Sequence, residues 1–194
     1  MPDEGFTELA AARITLRRFQ PGDLAAFVAY RSSADVARYQ SWDAPYPLAA
    51  GERFIAGLME CHPDTPGEWF QFAVVRHPTG ELVGDCAARP DGDDPRQAEI
   101  GFTIAPEHQG RGYATEAVGR LLGYLFEGRA KHRVTACCDE RNRASARVLE
   151  RLGMRREGHL RESTWAKGEW TDDLLYALLD REWRGLHAAE SGAG

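Results

Sequence analysis

The stretch Ala98-Glu99-Ile100-Gly101-Phe102-Thr103-Ile104-Ala105-Pro106-Glu107-His108-Gln109-Gly110-Arg111-Gly112-Tyr113-Ala114 decides how this chain folds. Its first half alternates, with Ile100, Phe102 and Ile104 on one side and Glu99, Gly101 and Thr103 on the other, as a strand requires. A turn with two glycines follows. Beyond it, residues 113–128 set Ala114, Ala117, Val118, Leu121, Leu122 and Leu125 at helical spacing. A strand that feeds a helix through such a turn exposes the helix's first N–H groups. These lack intrahelical partners and carry about half a positive charge. Gly110 and Gly112 remove Cβ atoms, so a phosphate can approach those donors. A turn that merely has to reverse direction would also use two glycines. The common phosphate loops do not fit. No Lys-Ser or Lys-Thr pair follows the glycines, and Thr115 stands where GxGxxG needs its third glycine.

The pattern continues outward on both sides. Ile14 and Leu16 alternate with Arg13, Thr15 and Arg17 as a strand, and Pro21 opens a helix with Leu24, Phe27 and Val28 on one face. Residues 34–60 read as helical pieces broken at Trp42-Asp43-Ala44-Pro45-Tyr46-Pro47, because a residue before proline disfavours helix. Strands are predicted near 69–77, 81–88, 97–105 and 132–139, then a helix over 143–152 ended by Gly153. Two more strands, near 154–166 and 170–179, are joined by a turn at Lys167-Gly168. Leu174 to Leu179 is almost wholly apolar, which predicts a strand buried on both faces. The order is that of an α/β sheet with helices on its faces.

The chain has 194 residues, 43% of them apolar and 28% charged, which suits one globular domain and excludes collagen, coiled coil and disorder. Lys plus Arg is 24 against 30 for Asp plus Glu, a net charge of −6. Nucleic acid is therefore not an expected partner; the acidic balance would suit a cationic substrate, although many soluble proteins are simply acidic. No apolar run approaches the ~18–20 residues of a membrane helix, so no membrane partner is expected. The acidic start Met1-Pro2-Asp3-Glu4-Gly5 is no signal peptide. Cys61, Cys86, Cys137 and Cys138 form no CxxC pairs and read as free thiols of a cytoplasmic protein. The six histidines are scattered, so no metal site is expected.

Gln109-Gly110-Arg111-Gly112-Tyr113-Ala114 resembles the Q/R-x-x-G-x-G/A pyrophosphate loop of the GNAT acyltransferases. About thirty residues on, Asn142-Arg143-Ala144-Ser145-Ala146-Arg147-Val148-Leu149-Glu150-Arg151-Leu152-Gly153-Met154 looks like their N-x-x-S…LEKLGF segment. The pair is similar to the RimJ/RimL-like branch, which includes acetyltransferases of ribosomal-protein N-termini. The resemblance covers about residues 12–183, taken as one acyl-CoA N-acyltransferase domain, with 1–11 and 185–194 as frayed ends. It implies an α/β fold with a mixed, mostly antiparallel central sheet of about seven strands and helices on both faces. It implies acetyl-CoA as cosubstrate, with the pyrophosphate on the backbone of Gln109, Gly110, Arg111, Gly112, Tyr113 and Ala114. It also implies that the strand before the loop splays from its neighbour, so that Phe102, Thr103 and Ile104 orient the pantetheine arm and the thioester. Asn142 would bond that arm, and Asn is equally a preferred helix N-cap.

Acetyl transfer needs a neutral amine and a stabilised oxyanion and thiolate. An α-amine with a pKa of ~8 is partly neutral at neutral pH, whereas a lysine amine, near ~10.4, costs about 3.4 kcal/mol more to deprotonate. Glu99 is the candidate base, as in some relatives, and is otherwise a strand carboxylate bonded to a neighbour. Glu162 is a second candidate. Ser145 would protonate the departing thiolate, and is otherwise a serine of a first helical turn. Tyr39 and Trp42, with Gln40 and Tyr46, are candidate acceptor-binding residues, or else cap the core. Asp43, Asp85 and the acidic run 169–173 are candidate receivers of an ammonium group. The turn Trp165-Ala166-Lys167-Gly168-Glu169-Trp170 resembles a hairpin near the acceptor side and is a candidate homodimer contact. The reading is direct N-acetyl transfer to a peptide or protein N-terminal amine. A small-molecule amine such as an aminoglycoside or polyamine stands as the alternative acceptor, and an acyl-CoA-binding module without catalysis as the alternative class.

Overall fold

The computed structural model describes Phe6 and residues 8–191. Eight strands form one open sheet in the order β1-β2-β3-β4-β5-β6-β8-β7. They are β1 (Glu8–Ala10), β2 (Ile14–Arg17), β3 (Phe70–Arg76), β4 (Glu81–Pro90), β5 (Gln97–Ile104), β6 (Arg133–Asp139), β7 (Arg155–Ala166) and β8 (Glu169–Leu179). All neighbours are antiparallel except β5 and β6. The helices are α1 (Leu24–Arg31), α2 (Ala34–Ala37), α3 (Leu48–Glu60), α4 (Tyr113–Gly123, continued by a wider turn to Gly128), α5 (Arg143–Arg151) and α6 (Asp180–Ser191).

Alternation along β3 shows why helices cover both faces. Phe70, Phe72 and Val74 join one core with Val118, Leu121 and Leu122 of α4, Leu149 of α5 and Trp183 of α6. Ala73 and Val75 face the other way and meet Phe27 and Tyr30 of α1, Val36 of α2 and Ile55 and Leu58 of α3. β8 is buried through Tyr176, Ala177 and Leu178, as its apolar run predicts.

The chain ends depart from expectation. Glu8–Ala10, placed among the frayed residues 1–11, pairs with β2 as an eighth strand. Residues 185–191 continue α6, where the small, polar composition suggested a loose tail. Three residues of alternation carry too little pattern to announce β1. Residues 1–5, 7 and 192–194 lie outside the described part of the chain.

Candidate active site

The parallel pair is the centre of the site. β5 bonds β6 only over residues 97–100 and 133–136, although both strands run three or four residues further. Beyond Ile100 the two strands part. β4 continues to hold the other edge of β5 as far as Ile104. The backbone edge of Gly101, Phe102, Thr103 and Ile104 that faces the gap is thus left without a strand partner. That edge would be costly if buried dry, and is suited to a ligand that itself carries amides.

A cavity of about 470 Å³ lies along this gap and reaches the turn before α4. Phe102, Thr103, Ile104, Gln109, Gly110, Gly112, Tyr113, Ala114, Asn142, Ser145 and Tyr39 all line it. Gly110 and Gly112 have φ of 72° and 82°, so the turn itself requires glycine whatever it binds. Gln109 donates through Nε2 to the Ile104 carbonyl at 2.9 Å, closing the turn. Among the described residues, no backbone carbonyl accepts from the N–H groups of residues 110–115. The result is an array of free donors at a helix N-terminus. Arg111 contributes no side chain to this lining. Its carbonyl instead accepts from Arg13 Nη1 at 3.0 Å.

Asn142 is the N-cap of α5, its Oδ1 accepting from the Ser145 N–H at 3.1 Å. That leaves its side-chain NH₂ without a partner among the described residues, on the cavity wall. Sequence reading missed His108, Arg147 and Arg151 in this lining. The arginines stand on the polar face of α5, where helical spacing alone reads as solvent. His108 is buried, with Nδ1 unpartnered and Nε2 lying 3.2 Å from Glu81.

A second, wider cleft of about 990 Å³ shares Asp35, Tyr39 and Gln40 with the first. Glu99 belongs to this cleft, with Asp139, Glu169 and Asp173. Its cations are Arg38, Arg141 and Lys167. Two of these are spent. Arg141 binds Asp139 and Glu169, each at 2.7 Å, and Lys167 binds Asp43 at 2.8 Å. Glu99 pairs with Arg89, its neighbour on β4. Cys137 also lines the cleft, and burial, helped by Asp173 and Glu99, pushes its thiol up to about 11.

Several sequence candidates do not reach either cavity. Trp42 donates from Nε1 to the Arg31 carbonyl at 3.1 Å, and its ring packs under the Arg31 guanidinium at 3.9 Å. Tyr46 joins the same aromatic surround of Arg31. Asp85 is buried and accepts a short hydrogen bond from the Tyr30 hydroxyl, so it cannot receive an ammonium group from the cleft. Glu162 sits exposed in an irregular stretch of β7, its N–H bound to Asp172 at 2.8 Å. Asp172 also meets the ring of His159. His159 Nε2 lies 3.1 Å from both Asp172 and Glu140, a surface cluster whose ligand-type atoms all lie within 4.8 Å of one another.

A splayed parallel pair beside a glycine turn at a helix N-terminus defines an acyl-CoA-dependent transferase. The chain belongs to the GNAT acetyltransferases: their acetyltransferase (GNAT) domain matches residues 13–155. An uncharacterized N-acetyltransferase, p20, of Bacillus licheniformis is 28% identical over 177 residues, 91% of this chain and 98% of its own. The crystal structure of a GNAT-family acetyltransferase from Bacillus anthracis superposes with a TM-score of 0.82 at 30% identity, covering 91% of this chain and all of that one. The ribosomal protein uS5-alanine N-acetyltransferase of Escherichia coli is 31% identical over 84 residues, 43% of each chain. The enzyme is thus an N-acetyltransferase that uses acetyl-CoA. No helix among the described residues is long and apolar enough to cross a membrane.

Proposed function

We propose that this enzyme acetylates the N-terminal α-amine of a peptide or protein, in the manner of the RimJ/RimL-like branch. The observation that carries the reading is the meeting of two unlike cavities at Asp35, Tyr39 and Gln40. One offers backbone N–H donors and arginines, and the other is wide and is lined by five carboxylates against three cations. In this reading acetyl-CoA lies along the first. Its pyrophosphate sits on residues 109–114 and its arm on the free edge of residues 102–104, with Asn142 donating to it. The acceptor enters by the second.

The amine attacks the thioester carbon directly, the tetrahedral oxyanion collapses, and the thiolate leaves. Glu99, on the cleft side, takes the amine proton directly or through water, and Ser145, on the CoA side, returns a proton to the sulfur. At neutral pH the raised Cys137 thiol stays protonated, which favours direct transfer over a cysteine-bound intermediate. The surplus of carboxylates also favours a second reading, in which a small polycationic amine is the acceptor.

Free CoA released from acetyl-CoA is the readout. N-terminal peptides with free and blocked α-amines, lysine peptides, polyamines and aminoglycosides are compared. Preference for the free α-amine supports the first reading. Equal acetylation of free and blocked peptides counts against it, and turnover only on polyamines or aminoglycosides establishes the second.

A further inference from the structure

The glycine turn is held in shape by a residue almost a hundred positions away. Arg13, just before β2, sits against the start of α4. Its N–H and Nε donate to the two carboxylate oxygens of Glu116, at 2.6 and 2.7 Å. Its Nη1 donates to the Arg111 carbonyl at 3.0 Å. Its guanidinium carbon lies 5.0 Å from the Tyr113 ring centroid, and Nη2 is 3.2 Å from where a Cβ on Gly112 would fall. One side chain therefore touches or overlies positions 111, 112, 113 and 116 of the turn and the first helical turn.

Two consequences follow from charge and geometry. Glu116 lies in the first turn of α4, where a carboxylate opposes any phosphate that approaches the same helix end. Arg13 occupies both its oxygens and cancels that charge. The bond to the Arg111 carbonyl turns that peptide's acceptor toward Arg13, so that the loop presents donors, not carbonyls, to the cavity.

We propose that Arg13 is the positioning residue for the CoA pyrophosphate, preparing the loop as an anion receptor by neutralising Glu116 and anchoring Arg111. The proposal rests on the reading of residues 109–114 as the pyrophosphate loop. Arg13 acts through the loop and through Glu116.

The test compares two acetyl donors, acetyl-CoA and acetyl-pantetheine, which lacks the pyrophosphate. Thiol release is followed with any amine the enzyme accepts, and CoA affinity is measured by calorimetry. Arg13→Gln should weaken CoA binding and lower kcat/KM for acetyl-CoA by at least about tenfold, mainly through KM, as loss of a charge-assisted contact predicts. With acetyl-pantetheine the change should stay within about twofold, since uniform binding to the pyrophosphate is the only thing lost. Glu116→Gln placed on Arg13→Gln should recover several-fold of the loss by removing the unmasked charge. If Arg13→Gln does not fold, Arg13→Lys, which keeps the charge and loses the Arg111 anchor, should show the same donor selectivity to a smaller degree. Equal losses on both donors, or no loss on either, overturn the proposal. A wild-type enzyme that does not distinguish the donors overturns the loop reading itself, and the proposal with it.

Discussion

Gln40 donates from its side-chain amide to the Thr103 hydroxyl at 3.3 Å, across the wall that the two cavities share. Thr103 lies on the open edge of β5, and Gln40 comes from the segment that follows α2. The contact therefore ties the loop proposed to flank the acceptor to the strand proposed to align the thioester. Gln40→Ala should raise the acceptor KM about fivefold, the worth of about 1 kcal/mol of hydrogen bonding, and leave acetyl-CoA affinity within about twofold. Steady-state kinetics with varied acceptor, beside calorimetry with CoA, checks this. An unchanged acceptor KM would show that the contact is incidental.

Glu99→Gln should lower kcat at neutral pH by at least about tenfold, general-base catalysis being worth about 10²–10⁴-fold. The defect should shrink as pH rises, because more of the acceptor arrives already neutral. Ser145→Ala should cost less, since a thiolate is a tolerable leaving group. The pH–rate profiles of the two variants decide the ranking, and near-normal kcat in Glu99→Gln would reduce Glu99 to the ion-pair partner of Arg89.

Asn142 carries two separable roles. Asn142→Ala removes the N-cap of α5 and should cost about 1 kcal/mol of stability. Asn142→Asp restores a cap oxygen but not the NH₂ group that faces the cavity. Thermal melts should therefore return nearly to wild type in Asn142→Asp while CoA affinity does not. Full recovery of affinity in the Asp variant would assign the residue to capping alone.

The buried group of Tyr30, Arg31 and Asp85 gives a pH signature. Burial raises the Asp85 carboxyl above the ordinary carboxylate range, against the opposing effects of the Arg31 charge and the Tyr30 hydrogen bond. A carboxyl whose folded pKa exceeds its unfolded one keeps its proton longer in the folded state. Its stabilising contribution is therefore greatest at low pH and is lost as pH rises from the unfolded value through the folded one. At low pH, where Asp85 is neutral as asparagine is, Asp85→Asn should destabilise the protein by only about 1 kcal/mol, the worth of an imperfectly replaced hydrogen bond with Tyr30. That gap should narrow as pH rises, by at most about 1.4 kcal/mol per unit within the titration window. Urea unfolding of both proteins across this range measures the slope, and a gap that widens with pH would reverse the sign argued here.

What could be read along the chain was whatever depends on near neighbours. The alternation of Ile100, Phe102 and Ile104, the glycines of the turn, the apolar stripe of α4 and the Asn142 cap each follow from backbone geometry over a few residues. Together with the family resemblance that the two motifs carry, they led to the expectation of a mostly antiparallel sheet, which the fold has, and of residues 109–114 as the loop proposed for the CoA pyrophosphate. Tertiary structure decided the rest, because charge pairing and burial act between residues remote in sequence. Trp42 looked like a cleft aromatic until Arg31 was buried against it, at 3.9 Å from its ring. Asp85 looked available until Tyr30 and the core enclosed it. Glu99 gained a partner in Arg89 only when β4 and β5 came into register, and Arg13 reached Glu116 only when β2 and α4 were packed together. The division of the site into a donor-lined cavity and a carboxylate-rich cleft exists in no single segment. It arises where β5 and β6 part, because the pairing of two strands and its end are set by the whole sheet.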